Sequence, residues 1–262
     1  MKIISYSLFN HPSSQEFERR AYIRGFWFNC RMNRFIFPEW RTHVNLDKSV
    51  YSMYATMFEW LKINHSISYT INDETPQLCE GMIQRMRPCF DQHTSHVMCR
   101  DADSLTTYRE ALAIQDWLES GDACLALHDN PGHDGLMGGM VAFDTSQFKA
   151  LTGYQTWEEM IDGYDLKERG SDQHLMNGRI LPKIKVRYVG GKNKIQLDTR
   201  FEQRNLPMVH PKFFESNFCI SFIGAAGVNE LETIRFFKRI DEYEWAFNEI
   251  ERVFPKLFPW HS

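Results

Sequence analysis

The chain has 262 residues, a mass of 31.0 kDa, a net charge of −4 and a pI of about 6.2. It lacks the basic field of a general nucleic-acid binder, so any phosphate it holds is held by a few placed cations. A hydrophobic fraction of 43% and an aromatic fraction of 14% suffice for a sizeable core, and six cysteines without a C-x-x-C pair argue against a disulfide framework or a zinc site.

Lys2 to Phe9 reads as a first strand, stopped by Asn10-His11-Pro12. In an α/β protein the loop after strand one is a natural place for a ligand. No G-x-G-x-x-G follows, which disfavours the usual dinucleotide fold. Glu16 to Asn29 predicts a helix and Arg41 to Leu46 a second strand. Asp47 is placed to cap a helix from Lys48 to Ile63, with Val50, Tyr54, Met57, Phe58 and Leu61 as its buried stripe. Ser66 to Ile71 is a third strand, and Pro76 opens a helix with Leu78, Met82, Ile83 and Met86 inward. Near its end, Arg85 and Arg87 either complement the helix dipole or reach a diphosphate.

The stretch from His96 to Ser104 is the centre of the chain. Apolar residues run into Arg100, and Asp101 and Asp103 follow two positions apart. This predicts a buried strand that emerges at its C-terminal end and displays two carboxylates on one side. Such a pair suits a hard divalent cation, which takes oxygen ligands and shares its shell with water and substrate phosphates. The alternative is a solvated turn.

Beyond it, Thr107 and Glu110 form a capping-box pattern, Ile114, Trp117 and Leu118 a stripe, and Gly121 a helix stop. Ala123 to Leu127 is a short buried strand ending in His128-Asp129, followed by the polar turn from Asn130 to Asp134. Met137 to Phe143 returns as a strand, in which Gly138 and Gly139 let backbone approach a ligand or relieve a bulge. Thr156 and Glu159 start a short helix, and Gly170 to Leu175 starts another, with Asp172 in its first turn. Lys185 to Val189, the turn from Gly190 to Asn193 and Lys194 to Leu197 predict a hairpin. Phe218 to Ile223 is a late strand, and Asn229 to Ile240 and Glu242 to Phe254 are amphipathic helices. Strands alternating with helices predict an α/β fold, a mostly parallel central sheet flanked by helices, with a more irregular second half.

In these residues the chain resembles the GT-A fold glycosyltransferases that carry an Asp-X-Asp motif. The resemblance runs through Arg100-Asp101-Ala102-Asp103-Ser104, Arg109-Glu110, Trp117 with Ser120, His128-Asp129 with Pro131 and His133, Gly138-Gly139-Met140 and Ser171-Asp172-Gln173. It covers roughly positions 85 to 176 in order, and each block alone is weak. It implies a single GT-A-like domain over 1–262: a nucleotide-sugar-binding half (1–104), an acceptor and catalytic half (105–215) and a C-terminal helical segment (216–262).

The resemblance further implies a UDP- or GDP-sugar donor, a glycan or other hydroxyl acceptor, and Mn²⁺ or Mg²⁺ held by Asp101 and Asp103. Tyr6 to Phe9 would hold the nucleoside, with Arg85, Arg87, Arg100 and Ala102 beside the donor and Gly138 and Gly139 closing on its sugar. Asp172, then Asp129, are the candidates for a general base in an inverting transfer. His128 and His133 either bind sugar hydroxyls or are satisfied polar residues, and family members often carry Arg where His128 stands. His210 is either a further metal ligand or a loop histidine. With no leader pattern and no apolar run long enough to span a bilayer, the expected setting is the cytoplasm of a bacterium or of a virus-infected cell. Two other readings are a metal-dependent phosphohydrolase built from Asp101, Asp103, His128, Asp129 and His133, and a non-catalytic carbohydrate-binding protein.

Overall fold

The structure is a computed structural model that describes residues 1–10, 16–72, 78–106, 108–128, 133–190 and 203–205. Pro76, Thr107, Asp129 to Gly132, the turn and second arm of the expected hairpin, His210, and the late strand and two helices expected beyond it lie outside the described residues.

The first half alternates as its hydrophobic pattern requires. Strands β1 (Lys2–Leu8), β2 (Trp40–Asp47), β3 (Ser68–Asn72) and β4 (His96–Arg100) are separated by helices α1 (Glu16–Ile36), α2 (Lys48–His65) and the short α3 (Leu78–Ile83). The Asp47 carboxylate accepts from the Val50 amide at 2.7 Å and caps α2 as expected. Helix α1 runs to Ile36 rather than stopping at Asn29, because Met32, Asn33 and Ile36 continue its buried face. After α3 the chain tightens into a 3₁₀ helix from Gln84 to Phe90. Pro88 explains the change, since it lacks the amide for a bond to Gln84 and its ring would crowd that carbonyl.

The second half contributes α4 (Tyr108–Ser120), β5 (Cys124–His128), β6 (Met140–Asp144), α5 (Thr145–Thr152), α6 (Trp157–Ile161), α7 (Ser171–Leu175), β7 (Val186–Gly190) and β8 (Gln203–Asn205). The eight strands form one sheet in the order β3-β2-β1-β4-β6-β5-β7-β8. All neighbours are parallel except β6, which runs against both β4 and β5. The outer neighbour of β7 is β8, parallel to it, with Tyr188 opposite Gln203.

Helices cover both faces. Ile4, Tyr6, Leu8 and Met98 pack with α1, α2 and α4, through Phe26, Phe58 and Trp117. Val97, Cys99, Val141 and Phe143 pack on the other face with Met86, Phe148 and Trp157. Strand order runs outward in both directions from β1 and β4, which makes their C-terminal ends the switch point at which open α/β sheets bind ligands.

Alternation along β4 decides where its charges go. Met98 faces the α1 layer, and so does Arg100, which is 1% exposed and pairs with the fully buried Glu110 of α4 at 3.0 Å. Glu110 therefore serves as the partner of Arg100. Arg100 also donates to the Leu105 carbonyl at 3.3 Å, tying down the chain after Asp103.

Removing one member of this buried pair strands the other charge. Glu110→Ala should cost about 3–5 kcal/mol in urea unfolding, and the double change Arg100→Met with Glu110→Leu should recover most of that loss. A double variant no more stable than Glu110→Ala would show that the pair does not govern the loss.

Candidate functional site

Asp101 leaves β4 with the opposite parity from Arg100, towards the α3 layer, and there it meets Arg85. The guanidinium binds the part-exposed Asp101 carboxylate through Nη1, and its Nη2 lies 3.4 Å from Oδ2 of Asp172 at the start of α7. The 3₁₀ helix is pinned beside β4, since the Cys99 thiol donates to the Arg85 carbonyl at 3.5 Å. Arg85 and Asp172 are both buried, and Asp172 Oδ1 and Arg85 Nε have no hydrogen-bond partner among the described residues.

Register brings in a fourth segment. Met140 pairs with Arg100 across β4 and β6, so the turn before β6 lies beside Asp101. This turn, closed by the Met140 amide on the Met137 carbonyl at 2.9 Å, is Met137-Gly138-Gly139. A Cβ on Gly138 would strike the Arg85 guanidinium and come within 3.0 Å of Asp172 Oδ2, and one on Gly139 would strike the Asp101 carboxylate. Any side chain at either position would have to displace these charged groups, and glycine lets the backbone approach them closely.

Asp103 is 9% exposed, and its carboxyl is pushed up to about 7, first by burial and then by the negative charge of Asp101. Asp101 and Asp103 thus offer carboxylate oxygens at the strand end, with the Arg85 guanidinium beside Asp101. Hard oxygen donors of this kind fit a divalent ion such as Mn²⁺ or Mg²⁺. Among the described residues, no group of three or more His, Cys, Asp or Glu side chains is disposed to hold a metal.

The loop carrying Asp101 and Asp103 is held from α1 by two buried asparagines. Asn29 Nδ2 donates to the carbonyls of Ala102 at 3.3 Å and Ser104 at 2.7 Å, and its Oδ1 accepts from the Thr106 amide at 2.9 Å. Asn33 accepts from the Thr106 hydroxyl at 2.9 Å and donates to Tyr6 Oη at 3.1 Å. Sequence reasoning missed both. The available signal was two asparagines four residues apart on the apolar stripe of α1, where a buried amide needs partners.

The expected donor contacts divide. Phe9 follows β1 with the parity of Ser5 and Ser7, and its ring lies against Gly81 of α3, where a Cβ would meet it. Tyr6 faces the other way and lies in the core, against Phe26. Burial there pushes its phenol up to about 12. Arg87 stacks on Trp157 at 4.9 Å, away from Arg85, because two positions on a helix do not share a face. Arg100 is turned into the α1 layer with Glu110, as described. Ala102 is buried beneath Asn29, offering its carbonyl.

His128 ends β5 with its ring 4.6 Å from Tyr188 and 6.4 Å from His133. Its Nε2–H donates to the Gly135 carbonyl at 2.6 Å, leaving a buried Nδ1 without a hydrogen-bond partner among the described residues. Burial lowers His133 to about 4, so it is neutral at physiological pH. The loop between them and Gly138 is gripped by Asn177, which accepts from the Leu136 amide at 2.8 Å and donates to its carbonyl at 3.1 Å. Asn177 sits in a π-helical turn, Met176–Ile180, directly after α7. Such turns recur at functional sites because the extra residue re-aims a side chain.

The sequence matches no family model and no curated protein. Among solved structures, the chain is similar to the mannosyltransferase PcManGT from Pyrobaculum calidifontis in complex with GDP-Man and Mn²⁺. Identity there is 13%, over 100% of this chain and 75% of that chain, with a TM-score of 0.45. It is also similar to 4-diphosphocytidyl-2C-methyl-D-erythritol synthase from Anaerococcus prevotii DSM 20548, at 9% identity over 76% of this chain and 92% of that chain, TM-score 0.45. A third is S. aureus TarS, residues 1–349, at 10% identity over 96% of this chain and 73% of that chain, TM-score 0.43.

The Asp103 carboxyl has a testable signature. In the unfolded chain it loses its proton near 4, and in the fold near 7. Between those values only the fold holds the proton, so this group's contribution to stability falls as pH rises from 4 to 7 and stays low above. Asp103→Asn should therefore raise the Tm by several degrees at pH 8 and leave it nearly unchanged at pH 4. Equal shifts at both pH values would mean that Asp103 ionises normally.

Proposed function

We propose that the protein is a metal-dependent glycosyltransferase that moves a sugar from a nucleoside-diphosphate sugar, a UDP- or GDP-sugar, to a glycan or other hydroxyl acceptor. The observation that carries this reading is the meeting of Asp101, Asp103, Arg85, Asp172 and the Gly138-Gly139 turn at the C-terminal edge of the sheet. Four separate segments supply them, at the place where an open α/β sheet receives a nucleotide. The resemblance in the Asp-X-Asp block and the segments after it adds to the reading.

In this reading Asp101 and Asp103 hold Mn²⁺ or Mg²⁺. When bound, the ion neutralises the charge that grows on the departing diphosphate. Arg85 adds a guanidinium beside it, suited to bidentate contact with phosphate oxygens. Phe9, against Gly81, offers an apolar face to the nucleoside, and the Gly138-Gly139 backbone bounds the donor sugar.

Asp172 Oδ1 has no hydrogen-bond partner among the described residues, while Oδ2 faces Arg85. In an inverting transfer that oxygen takes the proton of the acceptor hydroxyl. The buried Nδ1 of His128 is an acceptor for a sugar hydroxyl, and neutral His133 stands beside it. Asp129 and His210 stay candidates for a second carboxylate at the reacting centre and for a further metal ligand.

Thermal-shift measurements with UDP, GDP and CDP test the reading. One diphosphate at saturating concentration with Mn²⁺ should raise the Tm by about 5 °C, with no shift in EDTA. Asp101→Asn should remove the shift while the protein stays folded. No shift with any diphosphate would reject the proposal.

Asp172→Asn preserves shape and the bond from Arg85 but removes the base. It should lower kcat about 10²- to 10⁴-fold while the Mn²⁺-dependent shift with nucleotide persists. An unchanged kcat would remove Asp172 from that role.

A further inference from the structure

We infer that Arg85 is a built-in counter-ion for Asp101 that makes the site take up a divalent cation together with a diphosphate in preference to the cation alone. The inference rests on the reading of Asp101 and Asp103 as cation ligands. Its own observations are the geometry of the guanidinium and the lack of room around it.

The Arg85 side chain is 5% exposed, binds Asp101 through Nη1 and faces Asp172 through Nη2 at 3.4 Å. Its backbone is tied to β4 through Cys99, and the Gly138 backbone presses on the guanidinium itself. The group thus has few places to go. A divalent ion arriving alone must share the Asp101 carboxylate, whose Oδ1 Arg85 already holds, and must stay beside a buried positive charge. A diphosphate changes both conditions. Its oxygens give the guanidinium a partner as good as Asp101, which frees that carboxylate, and its charge offsets the two cations together. Ion and diphosphate therefore help each other bind, and reciprocally so.

The same arrangement gives Asp172 a second duty. When Arg85 gives up Asp101, Asp172 still holds Nη2, so the guanidinium is steadied while it changes partners. Arg85 is in this sense a positioning and specificity residue, selecting for a ligand with enough negative charge to draw it away. A lone cation has none.

Mn²⁺ binding read by electron paramagnetic resonance, with and without UDP or GDP, tests the idea without reference to turnover. Arg85→Met should bind Mn²⁺ about tenfold tighter than the wild type in the absence of nucleotide. The gain in Mn²⁺ affinity on adding nucleoside diphosphate should shrink by a similar factor in Arg85→Met, whereas Arg85→Lys, which keeps the charge, should retain most of that gain. Because Arg85→Met leaves Asp172 buried beside no cation, the neutral pair Arg85→Met with Asp172→Asn is compared with Asp172→Asn alone, and the same tightening is expected. Mn²⁺ affinity unchanged or weakened in both comparisons would overturn the inference while leaving the cation site standing. Absence of Mn²⁺ binding in every variant, with and without nucleotide, would overturn the cation reading and the inference with it.

Discussion

Three carboxylates gathered around one guanidinium set the terms for this half of the molecule. Asp101 and Asp172 meet Arg85 at the end of a buried strand, Asp103 lies near enough to feel both Asp101 and Arg85, and the burial of Asp103 and Asp172 is costly without compensation. The fold answers in several ways at once. One acid keeps its proton to about 7, one is held by Nη1, and one faces Nη2. The other arginine of the segment, Arg100, is sent through the sheet to Glu110, so its charge is spent in the opposite layer. Sheet order, the 3₁₀ helix and the glycine turn all serve to bring these groups to one edge.

Much of the frame was legible because it depends on local pattern. Asp47 before an apolar stripe is a cap whatever surrounds it, and the Thr156–Glu159 box forms as its spacing requires. The strands β1 to β4 announce themselves by apolar runs between breakers. The antiparallel direction of β6 was not legible, because pairing partners distant in sequence decide it. The Arg100–Glu110 pair was not legible either, because a contact between an arginine and a glutamate ten positions later is one that no local rule contains.

The candidate site was legible in its charges and less so in its supports. Asp101 and Asp103 stand out because acids seldom follow directly on a buried strand. Arg85 and Arg87 could not be told apart by composition. The switch to a 3₁₀ helix ahead of Pro88 turns one to Asp101 and the other to Trp157. Asn29, Asn33 and Asn177 left the weakest trace, since asparagine is ordinary in loops and tolerable in helices. Their value lies in a compact amide that donates and accepts at once, which lets a helix hold an irregular loop without adding charge.

The glycine turn has a consequence for how such a protein can change over time. Where a pocket wall is made of side chains, its shape can be retuned one residue at a time. Here the wall is main chain, a hydrogen-bonded turn leading into a strand and packed against charged side chains, so a side chain added there displaces the same charged groups. That wall is closed to gradual adjustment. New substrate preferences in descendants of this chain would have to arise on the opposite sides of the pocket, which leaves the edge around Asp101 as an inherited constant and the remainder as the ground on which specificity can drift.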